Sequence, residues 1–88
     1  MRVQVVSPER LLFDGEATSA VVPAYDGLIG ILPRHAPLMA LLGSGTLQVR
    51  GPSGEERFTV AGGFVQVAGD VVRVVAEQAR TPLTGPPA

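Results

Sequence analysis

An alternation of apolar and polar residues runs through most of this chain and limits its fold more than any other feature. The apolar positions of the clearest runs are Val3, Val5, Leu47, Val49, Phe58, Val60, Val72 and Val74. Successive side chains of a β-strand point to opposite faces, so a period of two predicts strands with one buried face. The β-branched residues in these runs favour strands as well.

Segments that contain glycine or proline separate the runs where antiparallel strands would turn. Residues 51–54 (GPSG) predict a hairpin loop, and residues 62–63 (GG) and 68–70 (AGD) predict two further turns. Asp14 followed by Gly15 predicts another turn. The strands predicted from these boundaries lie near residues 2–7, 10–14, 16–23, 27–32, 36–42, 45–50, 56–61, 64–68 and 70–77.

Two local features leave alternatives open within this pattern. Residues 38–42 follow Pro37 and are also compatible with a helical turn, because proline suits the first position of a helix. Adjacent valines at 21–22, 71–72 and 74–75 blur the alternation. They indicate strands with both faces covered, one by the core and one by something else. The pattern as a whole predicts an all-β fold, an antiparallel β-sandwich or flattened barrel.

The length allows one domain. With 88 residues, 11 glycines and 8 prolines, the chain has room for one compact core built from short elements. Residues 81–88 (TPLTGPPA) lack periodicity and contain three prolines. We therefore predict a β-sandwich domain over residues 1–79 and a disordered, proline-rich tail over residues 80–88.

Charge and composition exclude several classes of function. The formal net charge is −1, and the chain lacks the basic groove with stacking aromatics that single-stranded nucleic acid requires, so we expect no nucleic-acid partner. All seven basic residues are arginine, which excludes Schiff-base chemistry, a phosphate-loop lysine and a lysine that carries biotin or lipoate. The absence of cysteine excludes disulfides and thiolate zinc sites.

Neither a signal peptide nor a membrane span is visible. The amino terminus leads straight into an alternating segment without the apolar run of a signal peptide. The longest stretch without a charge, residues 36–49, is too short for a bilayer and is interrupted by proline and glycine. We expect a soluble, unexported protein whose membrane association, if any, comes through a partner.

The residues that could carry chemistry are isolated. His35 is the single histidine and has no cysteine to join it, so we expect no metal or catalytic role for it. Glu55 and Glu56 follow the predicted hairpin loop, and a solvated hairpin end explains this pair better than acid–base catalysis. Residues 26–30 (DGLIG) lack the lysine of a phosphate loop, so their glycines favour tight turns and close backbone approach. We expect no catalytic residue, metal or cofactor, and therefore a binding or structural module.

Five segments in sequence order carry a resemblance to a known family. They are residues 5–16 (VVSPERLLFDGE), 26–38 (DGLIGILPRHAPL), 45–50 (GTLQVR), 61–67 (AGGFVQV) and 71–77 (VVRVVAE). The second is similar to a family segment of the form EGxxGILPGHAPL, and the fourth to a hairpin of the form SGGFxEV. Together they resemble the epsilon subunit family of F-type ATP synthases, called delta in mitochondria, over residues 2 to 79.

The resemblance implies a non-catalytic subunit of the central stalk, a sandwich of about ten strands that binds the gamma subunit and the ring of c subunits. It would couple ion-driven rotation of the c-ring to gamma and the catalytic head. It would lie at the cytoplasmic face of the bacterial plasma membrane, held there only through the complex. The implied c-ring-facing loop is Asp26, Gly27, Leu28, Ile29, Gly30 and Ile31. The implied gamma interface is His35, Ala36, Pro37 and Leu38, with Ser7 nearby.

The sequence departs from the family pattern in three places. Leu28 stands where many members carry an acidic residue, which predicts a more apolar ring contact with Asp26 or Arg34 supplying the charge. Arg34 replaces the common glycine before the histidine. Family members commonly add a helical hairpin that in some binds ATP or inhibits hydrolysis. The residues after Glu77 are too few for two helices of about 10 residues each, so we expect no hairpin, ATP binding or inhibition of that type.

A β-sandwich adaptor or scaffolding module of another family is the main alternative, although it would not explain the match at residues 26–38. A small nucleic-acid-binding barrel fits the charge and aromatic content poorly. Co-purification with gamma and c subunits, or with other proteins or RNA, distinguishes these hypotheses.

Overall fold

The computed structural model describes residues 1–81, and eight β-strands contain most of these residues. The strands are β1 (Arg2–Val6), β2 (Leu11–Glu16), β3 (Ser19–Ala24), β4 (Gly27–Ile31), β5 (Leu38–Leu41), β6 (Ser44–Gly51), β7 (Gly54–Ala68) and β8 (Val71–Arg80). Residues 1–81 include no helix, and hence none that could cross a membrane. The prediction of an all-β fold is confirmed.

The strands form one hydrogen-bonded path in the order β2-β1-β8-β7-β6-β3-β4, with β5 paired to β7 beside that path. The pairs are antiparallel except β1 with β8, which is parallel. The sheet folds over on itself into two layers. Phe13 of β2 and Phe58 of β7 have ring centroids 6.0 Å apart. A flat sheet would hold those strands about 14 Å apart, because two other strands lie between them.

The core fills the space between the two layers with the inward residues of the alternating runs. Its largest fully buried side chains are Phe58, Ile31, Leu47, Val3, Val5, Val22, Val49, Val60, Val65, Val67, Val72 and Val74. All eight apolar positions that define the sequence alternation are among them, so the assignment of the inward face is confirmed. Each side chain of this size stabilises the fold by roughly 1.5–3 kcal/mol when buried.

β7 is one continuous strand, so the predicted turn at residues 62–63 is wrong. Gly62 and Gly63 have φ values of 72° and 106°, and they bend the strand without ending it. Before the bend β7 pairs with β6, and after it with β5, while β8 follows the other edge in one unbroken register. The glycine pair therefore marks the corner where the sheet passes from one layer to the other.

The turn predicted at Asp14 and Gly15 is also wrong. Both residues lie inside β2, where Asp14 pairs with Gln4 and Gly15 with Val3 of β1. The Phe13 ring lies over Gly15, with a carbon 3.4 Å from the place where a Cβ would stand. Pairing with β1 and contact with the Phe13 ring keep Gly15 in the extended strand. The chain turns two residues later.

Two further predictions concern residues 38–42 and the end of the domain. Residues 38–41 form β5, so the alternative of a helical turn after Pro37 is wrong. Arg80 pairs with Thr59 and ends β8, one residue beyond the predicted domain boundary at 79. The remainder of the predicted tail, residues 82–88, lies outside the described residues. Because the two halves of β7 form one strand, the nine strands predicted from the sequence become eight in residues 1–81, fewer than the ten or so that the resemblance implied.

The corner in β7 gives the first testable prediction. We expect Gly63→Ala to lower the free energy of unfolding by more than about 2 kcal/mol, because a side chain is strained at this φ value. The added Cβ would also collide with the backbone oxygen of Val75. Gly30→Ala is the matched control, since no atom lies within 4 Å of its Cβ position, and it should change stability by less than about 0.5 kcal/mol. Urea unfolding measures both; equal stabilities for the two variants would contradict the steric role of Gly63.

Candidate functional site

A continuous row of apolar side chains crosses the outward face of one layer. Cross-strand pairing places its members directly opposite one another, since Leu41 pairs with Phe64 and Phe64 with Val75. Val75 in turn pairs with Val6, and Val6 with Leu11. Directly opposed residues share one face of a sheet. We call these five residues, drawn from β5, β7, β8, β1 and β2, the apolar row.

The apolar row is open to solvent. Leu41 and Leu11, at its two ends, are 66% and 55% exposed, and the three residues between them are half-buried. A shallow depression of 380 Å³ adjoins its middle. The depression is lined by Val6, Ser7, Pro8, Gly63, Phe64, Val75, Ala76 and Glu77. Contiguous exposed apolar surface of this kind marks sites of protein association.

The neighbouring row on the same face is mostly polar, which gives the apolar row a clear boundary. Its members, in strand order, are Met39, Gln66, Arg73, Gln4 and Asp14. Arg2 donates hydrogen bonds of 2.8 and 2.9 Å to the two carboxylate oxygens of Asp14, and these hold the pKa of Asp14 below its ordinary value. Arg73 donates a 3.3 Å hydrogen bond to the side-chain oxygen of Gln4. The outward face therefore changes from apolar to mostly polar within two residues along these strands.

Ser7 lies beside the apolar row, but its side chain is turned inward. It is the buried polar residue of the described chain, with 6% of its surface exposed. Its backbone nitrogen donates to the carbonyl of Arg10, and its hydroxyl lies within hydrogen-bond distance of the Arg10 nitrogen and carbonyl. These bonds close the turn between β1 and β2. Ser7 thus forms part of one wall of the depression, and its neighbour Pro8 is the exposed residue there.

The segment from Asp26 to Ile31, expected to be a ring-facing loop, is a turn followed by the edge strand β4. Asp26 lies in the turn, and Leu28 is 72% exposed. Ile29 packs against the core, and Ile31 is buried within it. The exposed surface of this segment therefore consists of Asp26, Gly27, Leu28 and Gly30. Tyr25, which is 79% exposed, extends it.

The segment from His35 to Leu38 lies in the loop that joins β4 to β5. Ala36 and Pro37 are exposed, His35 is half-buried, and Leu38 packs against the core as β5 begins. Nδ1 of His35 lies 2.7 Å from the Ala36 carbonyl oxygen, so the ring is held within its own loop. The backbone of Arg34, which precedes the histidine, has a φ of 67°.

The structure separates the two segments that one sequence motif joins. At one end of β5, the backbone nitrogen of Tyr25 donates to the carbonyl of Leu41. At the other end, Leu38 pairs with Val67, and the nitrogen of Arg34 donates to the side chain of Asp70. The turn before β4 and the loop before β5 therefore lie at opposite ends of β5.

Sequence reasoning did not find the apolar row. Each of its five members comes from a different strand, and which of them stand opposite one another depends on the register. The adjacent valines at 74–75 were the available signal, because they place an apolar residue on each face of β8. The structure assigns Val74 to the core and Val75 to the apolar row.

The described residues form a β-sandwich domain with an apolar row on its outward face. Its outward face carries apolar side chains, and in the part of the chain that the structure describes no three acidic or histidine side chains come together as metal ligands would. The sequence matches the family described as "ATP synthase, Delta/Epsilon chain, beta-sandwich domain" over residues 1–82. The chain belongs to this family, and the predicted resemblance to the epsilon subunit family is confirmed.

Individual relatives agree with the family assignment. The chain is 43% identical to the ATP synthase epsilon chain of Leptospira borgpetersenii over 88% of its own length and 61% of the relative. It is 45% identical to that of Alkalilimnicola ehrlichii over 90% of its length and 57% of the relative. The chain thus spans about three fifths of the length of these relatives.

Solved structures show the same fold. A chain in the cryo-EM structure "Euglena gracilis mitochondrial ATP synthase, OSCP/F1/c-ring" superposes with a TM-score of 0.82 at 21% identity, covering 90% of this chain and 51% of that one. A chain of the Tetrahymena thermophila mitochondrial ATP synthase central stalk and c-ring superposes with a TM-score of 0.75 at 17% identity. It covers 92% of this chain and 66% of that one.

The left-handed backbone at Arg34 gives the second prediction. We expect Arg34→Gly to raise the free energy of unfolding by about 0.5–1 kcal/mol. The left-handed conformation costs a non-glycine residue about 1–2 kcal/mol, and the greater freedom of glycine in the unfolded chain offsets part of this gain. Arg34→Ala, which keeps a Cβ, should stay within about 0.5 kcal/mol of the parent. Urea midpoints measure the difference, and a glycine variant no more stable than the alanine variant would refute this reading of the φ value.

Proposed function

We propose that this chain is a rotor subunit in the central stalk of an F-type ATP synthase, where it joins the gamma subunit to the c-ring. In this role it transmits ion-driven rotation of the ring toward the catalytic head and carries out no chemistry itself. The observation that carries the proposal is the apolar row, an association surface on a domain of the epsilon family. Its location is then the cytoplasmic face of the bacterial plasma membrane, reached only through the complex.

The apolar row and its depression are the proposed seat of the gamma subunit. The surface is apolar at its centre and bordered by Arg73, Asp14 and Gln4, an arrangement typical of protein interfaces with a polar rim. Phe64 stands at the middle of the row, half-buried and flanked by the depression. Aromatic residues in such positions contribute most of the binding energy of an interface.

The loop before β5 supplies a second part of the proposed gamma interface. His35 is half-buried in this loop, and Ala36 and Pro37 are exposed. Leu38 supports this contact from the core side, because it packs inward. Ser7 supports the first part in the same indirect way, by closing the turn that walls the depression.

The turn before β4 and the start of that strand form the proposed c-ring contact. Asp26, Gly27 and Leu28 are exposed there, whereas Ile29 and Ile31 face the core and keep the strand in place. Leu28 together with Tyr25 makes this surface apolar, and Asp26 is its one charge. The facing loops of the ring would therefore meet a leucine and a tyrosine, with one carboxylate beside them.

The gamma interface gives the third prediction. Leu41→Asp should weaken binding to recombinant gamma subunit by at least about tenfold, because it places an unpaired charge in an apolar contact. The fold should tolerate it, since Leu41 is 66% exposed. Thr46→Asp is the control: this exposed residue of β6 lies in the other layer, and its variant should bind within about threefold of the parent. Titration calorimetry measures both, and equal affinities would remove the apolar row from the interface.

The ring contact gives the fourth prediction. Leu28→Asp should reduce binding of the chain–gamma complex to purified c-ring by about tenfold, because the aspartate must be desolvated against an apolar contact. Leu28→Ile, which keeps the apolar side chain, should bind like the parent. Both affinities are measured by sedimentation or surface plasmon resonance with the ring in detergent. If the aspartate variant assembled and coupled as well as the isoleucine variant, Leu28 would have no part in the ring contact.

A further inference from the structure

Asp70, in the turn between β7 and β8, connects parts of the chain that are distant in sequence. Its carbonyl oxygen accepts a 3.0 Å hydrogen bond from the nitrogen of Arg2, at the start of β1. Oδ1 of its side chain accepts a 2.9 Å hydrogen bond from the backbone nitrogen of Arg34. One residue thus ties the loop before β5 to the end of the sandwich where β1 begins.

The bond from Arg34 is the tie between that loop and the rest of the domain. Within residues 32–37 the other hydrogen bonds stay inside the loop: the nitrogen of His35 donates to the Leu32 carbonyl, and Nδ1 of His35 contacts the Ala36 carbonyl. Among the described residues outside the loop, only the Asp70 carboxylate accepts a hydrogen bond from it. Without it, no hydrogen bond would join residues 32–37 to another described part of the chain.

The backbone geometry of Arg34 and Asp70 supports a specific contact between them. Arg34 and Asp70 have φ values of 67° and 62°, both in the left-handed region. Aspartate is one of the few residues that adopt this region readily, and its short side chain accepts hydrogen bonds from nearby backbone. The left-handed bend at Arg34 presents its N–H to the carboxylate. The strain at Arg34 is thus paired with a specific bond.

We propose that Asp70 is a positioning residue for the gamma contact: its carboxylate fixes the loop that presents His35, Ala36 and Pro37. This inference rests on the proposed function, because it assumes that the loop meets gamma. Asp70 itself lies in the neighbouring turn and acts through the Arg34 backbone. An ordered loop binds more tightly than a mobile one, since less conformational freedom is lost on association.

The test compares Asp70→Asn with Asp70→Gly in the full chain. Both residues adopt the left-handed backbone, and both remove the negative charge that lies 3.8 Å from the amino-terminal nitrogen of Met1. Only asparagine keeps a side-chain oxygen for the Arg34 nitrogen. The difference between the two variants therefore isolates the hydrogen bond to the loop.

Asp70→Asn should bind recombinant gamma subunit within about twofold of the parent, and Asp70→Gly about five- to tenfold more weakly, the factor that corresponds to one net hydrogen bond. Glu55→Ala is the stability control. It removes the two hydrogen bonds that Glu55 accepts from Arg50 and Arg57 at the β6–β7 hairpin, away from the loop, and should bind gamma like the parent. Affinities are compared at a temperature where urea unfolding shows every variant to be folded.

Amide hydrogen exchange of the free parent chain provides a second measurement that needs no variant. The Arg34 amide should exchange more slowly than the Ala36 amide, and Asp70→Gly should remove this protection while Asp70→Asn keeps most of it. Equal exchange at Arg34 and Ala36, or equal gamma affinity for the two Asp70 variants, would overturn the inference. A parent chain that does not bind gamma at all would instead overturn the proposed function, so the two failures are distinct.

Discussion

The backbone contact at the bend of β7 is the constraint on which the rest of the structure depends. Gly62 and Gly63 let one strand leave the layer of β6 and enter that of β5 without losing its pairing with β8. The backbone oxygen of Val75 fills the place where a Cβ of Gly63 would stand, so the strands meet there more closely than side chains permit. The two layers therefore share continuous hydrogen-bonded strands at this corner in addition to the packed core between them.

The same corner organises the surface. Phe64 follows the bend directly, and its outward orientation sets the register of the apolar row on both sides, toward Leu41 and toward Val75. Gly63 and Phe64 also line the depression beside that row. A residue that reshapes the corner would move these side chains together, because β7 pairs with a strand along each of its edges. The bend in β7 therefore determines both the arrangement of the two layers and the arrangement of the proposed gamma surface.

Much of the fold was predictable from the sequence, and the exceptions have a common cause. Alternation identified the inward residues correctly, from Val3 to Val74, because burial of one sheet face depends on the local period alone. The turns predicted at Gly15 and at Gly62–Gly63 were wrong, because glycine indicates only that the backbone is locally free to turn. Whether the chain turns there depends on the pairing with the neighbouring strand. At Gly15 that freedom is covered by the Phe13 ring, and at the corner it bends a strand that continues. Both outcomes depend on pairing across long sequence separations.

The candidate site, like the fold, was only partly predictable from the sequence. A single motif of the sequence led to Asp26 through Leu38, yet the structure places the two segments of this motif at opposite ends of β5 and turns Ile31 into the core. The apolar row has no motif, because register alone assembles it. The proposed role of joining two partners would need separate contacts held at a fixed distance. The backbone of β5 sets the spacing between the turn at Asp26 and the loop at His35. In the proposed rotor role, torque applied at one contact would reach the other through strands that are hydrogen-bonded along their length.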